Sequence, residues 1–357
     1  MATWTGVGRY TVGIARALAA RDDIELVQVV APDERPPVAP RDGARSIVAR
    51  KHPFSLAGAR EIGRIARSVD ADVVHCTHFP TPMPAPHPLV VTVHDVMPIV
   101  VPGIMKSPIK RAVYRYWNAR VAKLADRIVV PSRSTADDIA RLFPLTAEKI
   151  RVTPEAADEF RAGPRGRLAP ELADVIVWPY LLSMGSTRRH KDLPTLLHAF
   201  ARVAPAHPDL RLLLVGDTDL AFVDSTLAGT PAEVRHRVLF TGRLADPPLR
   251  TLYAGAEVFV FPSRYEGFGL PPLEAMEMGA PVVVANASSL PEVVGEAALL
   301  FEPGDIAACA AAIESVLTQP ALREQLIAAG YERAGGFSWA YTAELTVATY
   351  REVVAER

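Results

Sequence analysis

Two glutamates separated by seven residues frame the densest chemistry in this chain, Phe261-Pro-Ser-Arg-Tyr-Glu-Gly-Phe-Gly-Leu-Pro-Pro-Leu-Glu-Ala275. An apolar run ends at Phe261 and a loop with Gly267 and Gly269 follows. Pro271 and Pro272 then suit a first helical turn, where a missing N–H loses no intrahelical bond. The amides of Gly267, Phe268, Gly269 and Leu270 thus stand at the positive end of a helix dipole, a site for a diphosphate that glycines let come close. A carboxylate accepts through two oxygens, so Glu266 and Glu274, bracketing those amides, suit vicinal sugar hydroxyls. The competing structural reading makes Glu274 a dipole-favoured residue of the first turn and Glu266 a solvated loop charge.

Positioning such a loop takes a strand before it and a helix after it, and the chain repeats that alternation throughout. Thr5-Gly-Val-Gly8 enters an amphipathic stretch to about Ala20. Apolar runs at 24–31, 72–76, 89–93, 127–130 and 149–153 alternate with helical patterns near 56–69, 106–124 and 135–142. Segment 158–174, rich in Arg, Gly and Pro, reads as a linker. The alternation then restarts, with strands at 175–184, 210–215, 238–241, 258–261, 281–285 and 298–301, and a last helix at 339–354 follows Gly335-Gly336. Short strands separated by helices mean parallel sheets with crossover helices. The expected fold is α/β: two doubly wound, Rossmann-like domains, 1–165 and 166–336, facing across a cleft, with 337–357 packed back onto the first. The glycine loop of such a sheet should follow a strand, yet only Met1-Ala-Thr-Trp4 precedes Thr5. The expectation is a gap or a poorly covered strand edge in the first domain.

Composition narrows the function. Hydrophobic residues at 49% and charged residues at 22% are those of a globular protein, and 39 Lys+Arg against 40 Asp+Glu give no overall field that gathers nucleic acid. Cys76 and Cys309, far apart in apolar contexts, read as buried free thiols; they support neither a disulfide framework nor a metal site, and fit a reducing cytoplasm. No apolar run approaches the roughly 18 residues of a spanning helix. Arg9 and Arg16 interrupt the opening stretch, unlike a signal peptide.

The stretch Glu266-Gly-Phe-Gly-Leu-Pro-Pro-Leu-Glu-Ala-Met276 is similar to the signature of retaining glycosyltransferases of family 4. Ordered counterparts cover nearly the whole chain: Thr5-Gly-Val-Gly-Arg-Tyr10, Val91-Thr-Val-His-Asp95, Pro131-Ser-Arg-Ser134, His190-Lys-Asp-Leu193, Phe240-Thr-Gly242, Ser288-Ser-Leu-Pro-Glu292 and Phe337-Ser-Trp339. The resemblance implies the GT-B fold and a set of roles. Glu274 would hold the ribose diol of a nucleotide, and Glu266 hydroxyls of the transferred sugar. The amides of Gly267, Phe268, Gly269 and Leu270 would contact sugar and diphosphate. Lys191 would neutralise the departing diphosphate. Family members often carry Arg just before this lysine, where this chain has His190, so Arg188 or Arg189 would substitute. Gly242 and Arg243 would border the base. His94, after the strand at 89–93, would bind hydroxyls of the donor sugar, with Asp95 beside it. His75 and His78 follow the previous strand in the same way, and His78 is an acceptor-side candidate. Gly6 and Gly8 would let the first loop approach the donor phosphate or the acceptor.

The implied reaction moves a hexose from a nucleotide diphosphate sugar to a glycan or lipid-linked acceptor hydroxyl, with retention. GDP-mannose is the favoured donor, because the Gly-Phe-Gly-Leu-Pro-Pro-Leu-Glu version resembles bacterial enzymes of polysaccharide and O-antigen synthesis. No metal or cofactor is expected. Asp217-Thr-Asp219 follows a strand, as the metal site of the other large glycosyltransferase fold does, but Lys191 and the loop amides can handle the phosphates without an ion. No His/Cys cluster has zinc or iron spacing. Segment 106–127 sets Lys106, Lys110, Arg111, Arg115, Arg120, Lys123 and Arg127 against a stripe of Ile109, Val113, Trp117, Val121 and Leu124. That stripe either packs on the sheet or lies on anionic lipid at the inner face of the plasma membrane. Two rival readings remain: a nucleotide-sugar epimerase of similar architecture, which needs no acceptor, and a non-catalytic binder of sugar nucleotides, which has no turnover.

Overall fold

The alternating apolar runs form parallel strands in the computed structural model of the chain. It describes residues 6–32, 34–39, 44–52, 55–78, 81–86, 88–173, 176, 178–185, 187–217 and 219–356. Two units divide the chain, residues 1–156 with 338–357, and residues 157–337. The first contains α1 (Gly6–Ala19), β1 (Leu26–Val30), β2 (Ala44–Val48), α2 (Leu56–Ser68), β3 (Val74–Cys76), β4 (Leu89–Thr92), α3 (Met97–Val100), α4 (Pro108–Leu124), β5 (Arg127–Val130), α5 (Arg133–Leu142) and β6 (Ile150–Val152). The second contains α6 (Asp158–Ala162), α7 (Pro170–Ala173), β7 (Tyr180–Met184), α8 (Leu193–Val203), β8 (Arg211–Val215), α9 (Leu220–Thr226), α10 (Ala232–Arg235), β9 (Val238–Gly242), α11 (Asp246–Gly255), β10 (Val258–Phe261), α12 (Leu270–Glu277), β11 (Val282–Ala285), α13 (Leu290–Val294), β12 (Ala298–Phe301), α14 (Ile306–Thr318) and α15 (Pro320–Gly335). The last helix, α16 (Trp339–Ala355), returns to the first unit.

In the second unit all strands run parallel in the order β12-β11-β10-β7-β8-β9. The central strands β7, β8, β10 and β11 are apolar and buried almost end to end, as strands covered by helices on both faces must be. The boundary falls after Ala156, not at 165. Segment 158–174 carries α6 and α7, and Ala157 and Phe160 are buried in the core of the second unit, Phe160 under the Arg250 guanidinium. Asp174, Val175 and Val177, at the start of the expected strand 175–184, lie outside the described residues; β7 begins at Tyr180.

The strands of the first unit form two separate parallel sheets, β1-β2 and β3-β4-β5-β6. Among the described residues neither β1 nor β3 has a second partner, and both line a cavity of about 790 Å³ with α1 and α2. The gap expected from the sequence therefore lies between these two sheets. Met1 to Thr5 are outside the described residues, and Gly6 and Gly8 sit in the first turn of α1 instead of in a loop. Strand β2 has no counterpart in the sequence reading, because Ala44-Arg-Ser-Ile-Val48 shows neither a continuous apolar run nor a clean alternation. Cys76 is half-buried and Cys309 buried, both as free thiols.

Helix α16 is held to the first unit at three points. Glu352 pairs with Arg127 at 2.8 Å and takes Arg151 Nε at 2.9 Å, which holds its carboxyl down to about 2. Thr342 donates to the Pro154 carbonyl at 2.6 Å, and Trp339 lies against α1 where Gly13 leaves space. A Cβ at Gly13 would stand 2.2 Å from the Trp339 ring, so Gly13→Ala gains about 1 kcal/mol of helix propensity but overpacks a rigid buried ring at about 1–3 kcal/mol. A net loss of stability is expected in thermal unfolding, while Gly6→Ala, with nothing within 4 Å, should leave the midpoint near wild type. An unchanged midpoint for Gly13→Ala would show that α16 does not press on α1.

Candidate functional site

Sheet order decides where ligands can enter. In the second unit the chain lays β8 and β9 on one side of β7, then crosses to lay β10, β11 and β12 on the other. Loops leaving the carboxyl ends of β7 and β10 diverge at that switch, the position where doubly wound sheets bind ligands. The loop after β7 carries residues 188–191, and the loop after β10 carries residues 262–269.

Backbone and side-chain ties join the two loops. The Arg264 amide at 2.7 Å and the Ser263 hydroxyl at 3.1 Å both donate to the His190 carbonyl. Arg264 Nε also pairs with Asp192 Oδ2 at 2.9 Å, with Asp192 in the left-handed region (φ 46°) at the entry to α8. These ties bring Lys191 Nζ to 2.5 Å from Glu266 Oε1 and 5.0 Å above the Phe261 ring. The ammonium is held between a carboxylate and an aromatic face.

Ser288 and Ser289 set the glycine loop. The Ser289 hydroxyl reaches the Phe268 carbonyl at 2.6 Å and the Glu266 carbonyl at 3.0 Å, and Ser288 Oγ accepts the Glu266 amide at 2.7 Å. In a trans peptide C=O and N–H point to opposite sides, so the N–H groups of Gly267 and Gly269 are turned away from the serines. Gly269 adopts φ 116°, which calls for glycine, and a Cβ there would also push the Leu290 side chain, 2.8 Å away, out of place. Helix α12 begins at Leu270, one residue before the two prolines, and Glu274 lies inside it, 3% exposed, accepting from the Tyr253 hydroxyl at 2.9 Å. Glu274 thus lies past the first turn of α12, buried on a hydrogen-bond donor, and Glu266 is paired with Lys191, so neither the dipole-favoured first-turn residue nor the solvated loop charge of the structural alternative is found.

The remaining sequence candidates are more dispersed. His190 is buried, and burial, with Lys191 beside it, pushes its imidazole down to about 4, so it supplies no charge for a phosphate. Arg188 and Arg189 are exposed in the same loop. Gly242, at φ 65°, accepts the Gly216 amide through its carbonyl at 2.8 Å, and Arg243 pairs with Asp217 at 2.8 Å. Asp219 caps α9 by accepting the Phe222 amide. Both acids of Asp217-Thr-Asp219 therefore have local structural partners, and Thr218 lies outside the described residues. Among the described residues no group of three His, Cys, Asp or Glu could hold a metal ion.

The first unit gathers a second cluster at the carboxyl ends of its own strands. His94 follows β4, buried, with Nδ1 3.1 Å from Glu155 Oε1 and Nε2 2.9 Å from the Thr77 carbonyl. Burial alone would push this imidazole down, but the Glu155 carboxylate and the Thr77 carbonyl outweigh it and hold the group above its ordinary value. The His78 ring lies 5.9 Å from His94, and burial with that neighbour pushes His78 down to about 4. Asp95 turns the chain into α3 by accepting the Met97 amide at 2.9 Å, a structural role. His75, inside β3, bonds Tyr350 Oη at 2.6 Å and Thr92 Oγ1 at 2.8 Å. Glu155 and Tyr253 were not among the residues singled out by the sequence, and Ser289 stood only within the Ser288–Glu292 motif with no role given to it; the position of Glu155 just past a strand end is what marks it.

The profile described as Glycosyltransferase Family 4 matches residues 4–161, and that described as Glycosyl transferases group 1 matches residues 178–333. O-antigen chain mannosyltransferase B of Escherichia coli is 30% identical over 97% of this chain and 96% of its own length. The chain belongs to glycosyltransferase family 4. This glycosyltransferase is also 32% identical to the MMP alpha-(1->4)-mannosyltransferase of Mycolicibacterium hassiacum, over 85% of this chain and 75% of that one. Among solved structures it resembles sucrose-phosphate synthase from Thermosynechococcus elongatus (TM-score 0.78, 23% identity, 99% of this chain and 94% of that one). It also resembles Anabaena Alr3699/HepE in complex with UDP-glucose (TM-score 0.72, 17% identity, 99% and 96%). These likenesses give the fold class: GT-B, built from two Rossmann-like units. No helix among the described residues is long and apolar enough to cross a membrane.

The histidines of this glycosyltransferase make its stability depend on pH. Unfolded His75 takes a proton near 6.5, whereas folded His75, pushed down by burial and by His94, takes one only near 4, so acid favours the unfolded chain across that window. His78 and His190 act in the same sense, and each such group contributes a slope of at most about 1.4 kcal/mol per pH unit. His94, raised, acts oppositely: its contribution is complete below 6.5 and fades as pH rises through its folded value. Denaturant unfolding should show stability falling from pH 6.5 to 4.5; a flat profile would mean that these imidazoles are not held neutral.

Proposed function

We propose that this glycosyltransferase moves a hexose from a nucleotide diphosphate sugar to a hydroxyl of a glycan or lipid-linked glycan, with retention and without a metal, GDP-mannose being the favoured donor. The observation that carries the donor site is the Lys191–Glu266 pair at 2.5 Å, beside a glycine loop turned toward a helix N-terminus, with Glu274 buried behind it. A diphosphate reaching this loop meets the Gly267 and Gly269 N–H groups and the α12 dipole, and draws Lys191 from its carboxylate partner. Glu266, released, accepts sugar hydroxyls, and Glu274 accepts those of the ribose. The anomeric C–O bond to the diphosphate breaks as the acceptor oxygen bonds the same face of that carbon, and the acceptor proton passes to the leaving phosphate oxygen. Glu266 acts by positioning: once released its carboxylate is engaged by the sugar hydroxyls, and it is not the covalent nucleophile of a retaining hydrolase. Mannose is favoured because the two curated relatives named above are mannosyltransferases.

A thermal-shift panel of GDP-, UDP- and ADP-sugars tests the donor site. A ligand at 100 times its dissociation constant stabilises by about 2.7 kcal/mol, with GDP-mannose expected to shift most. Lys191→Ala should lower kcat by about 100- to 1,000-fold, and Glu274→Gln should weaken the donor-induced shift. No shift with any sugar nucleotide would overturn this reading, as would a product of inverted anomeric configuration.

The acceptor side adds a membrane surface. On α4 Ile109, Val113 and Tyr116 are 75, 51 and 58% exposed, while Trp117 and Leu124 are half-buried and Val121 is buried, so the first half of the expected stripe stands in solvent and the second half packs on the core. Exposed Lys106, Lys110, Arg111 and Arg115 flank that face, and no acidic residue occurs between Asp95 and Asp126. This is the pattern of a helix that lies on anionic lipid. Vesicles containing anionic lipid should sediment the protein in low salt and neutral vesicles should not; Ile109→Ser with Val113→Ser should abolish binding. Equal binding to both vesicles would exclude the electrostatic part.

A further inference from the structure

The His94 cluster has a partner that the donor-site reading does not use. Glu155 follows β6, is buried, and among the described residues has the His94 ring, 3.1 Å away, as its cationic partner. The opposite ring nitrogen faces the Thr77 carbonyl, which has only lone pairs to offer. A neutral imidazole has one N–H and cannot donate to two acceptors. We propose that Glu155 is the positioning residue of His94, holding it as an oriented imidazolium whose second N–H, now on the Thr77 carbonyl, is handed to an oxygen of a sugar substrate. The inference rests on the sugar-transfer reading above.

The two hydrogen bonds differ in setting. That to Glu155 lies in the buried interior and that to Thr77 is only partly buried, so the Thr77 carbonyl is the partner a ligand oxygen can replace. Glu155 keeps the ring in place through the exchange. The Tyr10 ring, edge-on at 4.8 Å, and the Thr135 hydroxyl, 3.4 Å from the His94 carbonyl, fix the same residue from α1 and α5. The titratable groups around the ring are consistent with a single charge there. Asp95 adds attraction from the next position, Tyr10 is kept protonated by burial, and His75 and His78 are pushed down to about 4. A charged N–H on a ligand oxygen is stronger than a neutral one, which is why the carboxylate matters for binding and turnover.

The test reads the ring directly and then through activity. With 15N-labelled histidine in the full chain, both ring nitrogens of His94 should carry protons at pH 7.5, and Glu155→Gln should show one of them deprotonated. A neutral His94 in the wild type overturns the proposal whatever the activity. In transfer assays Glu155→Gln should lose at least tenfold in kcat/KM at pH 8 and recover toward wild type near pH 6, while Glu155→Asp keeps the wild-type profile. A loss equal at all pH values makes Glu155 a packing residue and overturns the proposal, as does a wild-type profile in Glu155→Gln. If the wild type transfers no sugar at all, the sugar-transfer reading has failed, and the NMR measurement still decides the pair.

Discussion

The proposed donor site depends on one backbone acceptor, the His190 carbonyl. It receives the Arg264 amide and the Ser263 hydroxyl, and so binds the loop after β7 to the loop after β10 at the point where the sheet changes direction. Without that tie Lys191 and Glu266 belong to two surface loops 75 residues apart in sequence; with it they stand 2.5 Å apart. The substitution of His for the arginine common in the family fits this arrangement. A buried neutral imidazole, unlike a guanidinium, tolerates an apolar setting, and its own carbonyl is what the neighbouring loop grips. At the proposed phosphate site positive charge would then come from Lys191, the exposed Arg188 and Arg189, and the dipole of α12.

Charge in the first unit is arranged differently. The glycine loop presents backbone N–H groups fixed by serines, whereas the His94 cluster draws on four consecutive strand ends: the Thr77 carbonyl after β3, His94 after β4, the Thr135 hydroxyl in α5 after β5, and the Glu155 carboxylate after β6. Parallel sheets bring all carboxyl ends to one edge, so residues far apart in sequence converge without a dedicated motif. Burial pushes His75, His78 and His94 all downward, and it is the Glu155 carboxylate that holds His94 above the other two.

The motif from Glu266 to Glu274 was legible because glycine, proline and carboxylate each have a local physical meaning, in backbone freedom, helix entry and bidentate acceptance. The gap in the first unit was legible for a similar reason: a glycine helix entry implies a strand before it, and β1 and β3 do lack a shared partner among the described residues. Glu155 was not legible. An isolated glutamate after a strand has no periodicity or spacing to report that a histidine 61 positions earlier lies beside it. Nor was the exposure of α4, since a stripe of Ile109 and Val113 looks the same whether a sheet covers it or solvent does.

The amino-acid sequence alone determined the strand–helix alternation, the second unit's glycine loop and the residue types able to bind a sugar nucleotide, because these follow from short-range patterns of polarity and backbone preference. Tertiary structure decided which of those residues meet. It set the Asp95 carboxylate on the Met97 amide, gave Asp217 to Arg243, buried His190, paired Lys191 with Glu266 and set Glu155 against His94. Those outcomes depend on strand order and on which side chains lose water together. Both are properties of the packed sheet, and no local window of sequence contains them.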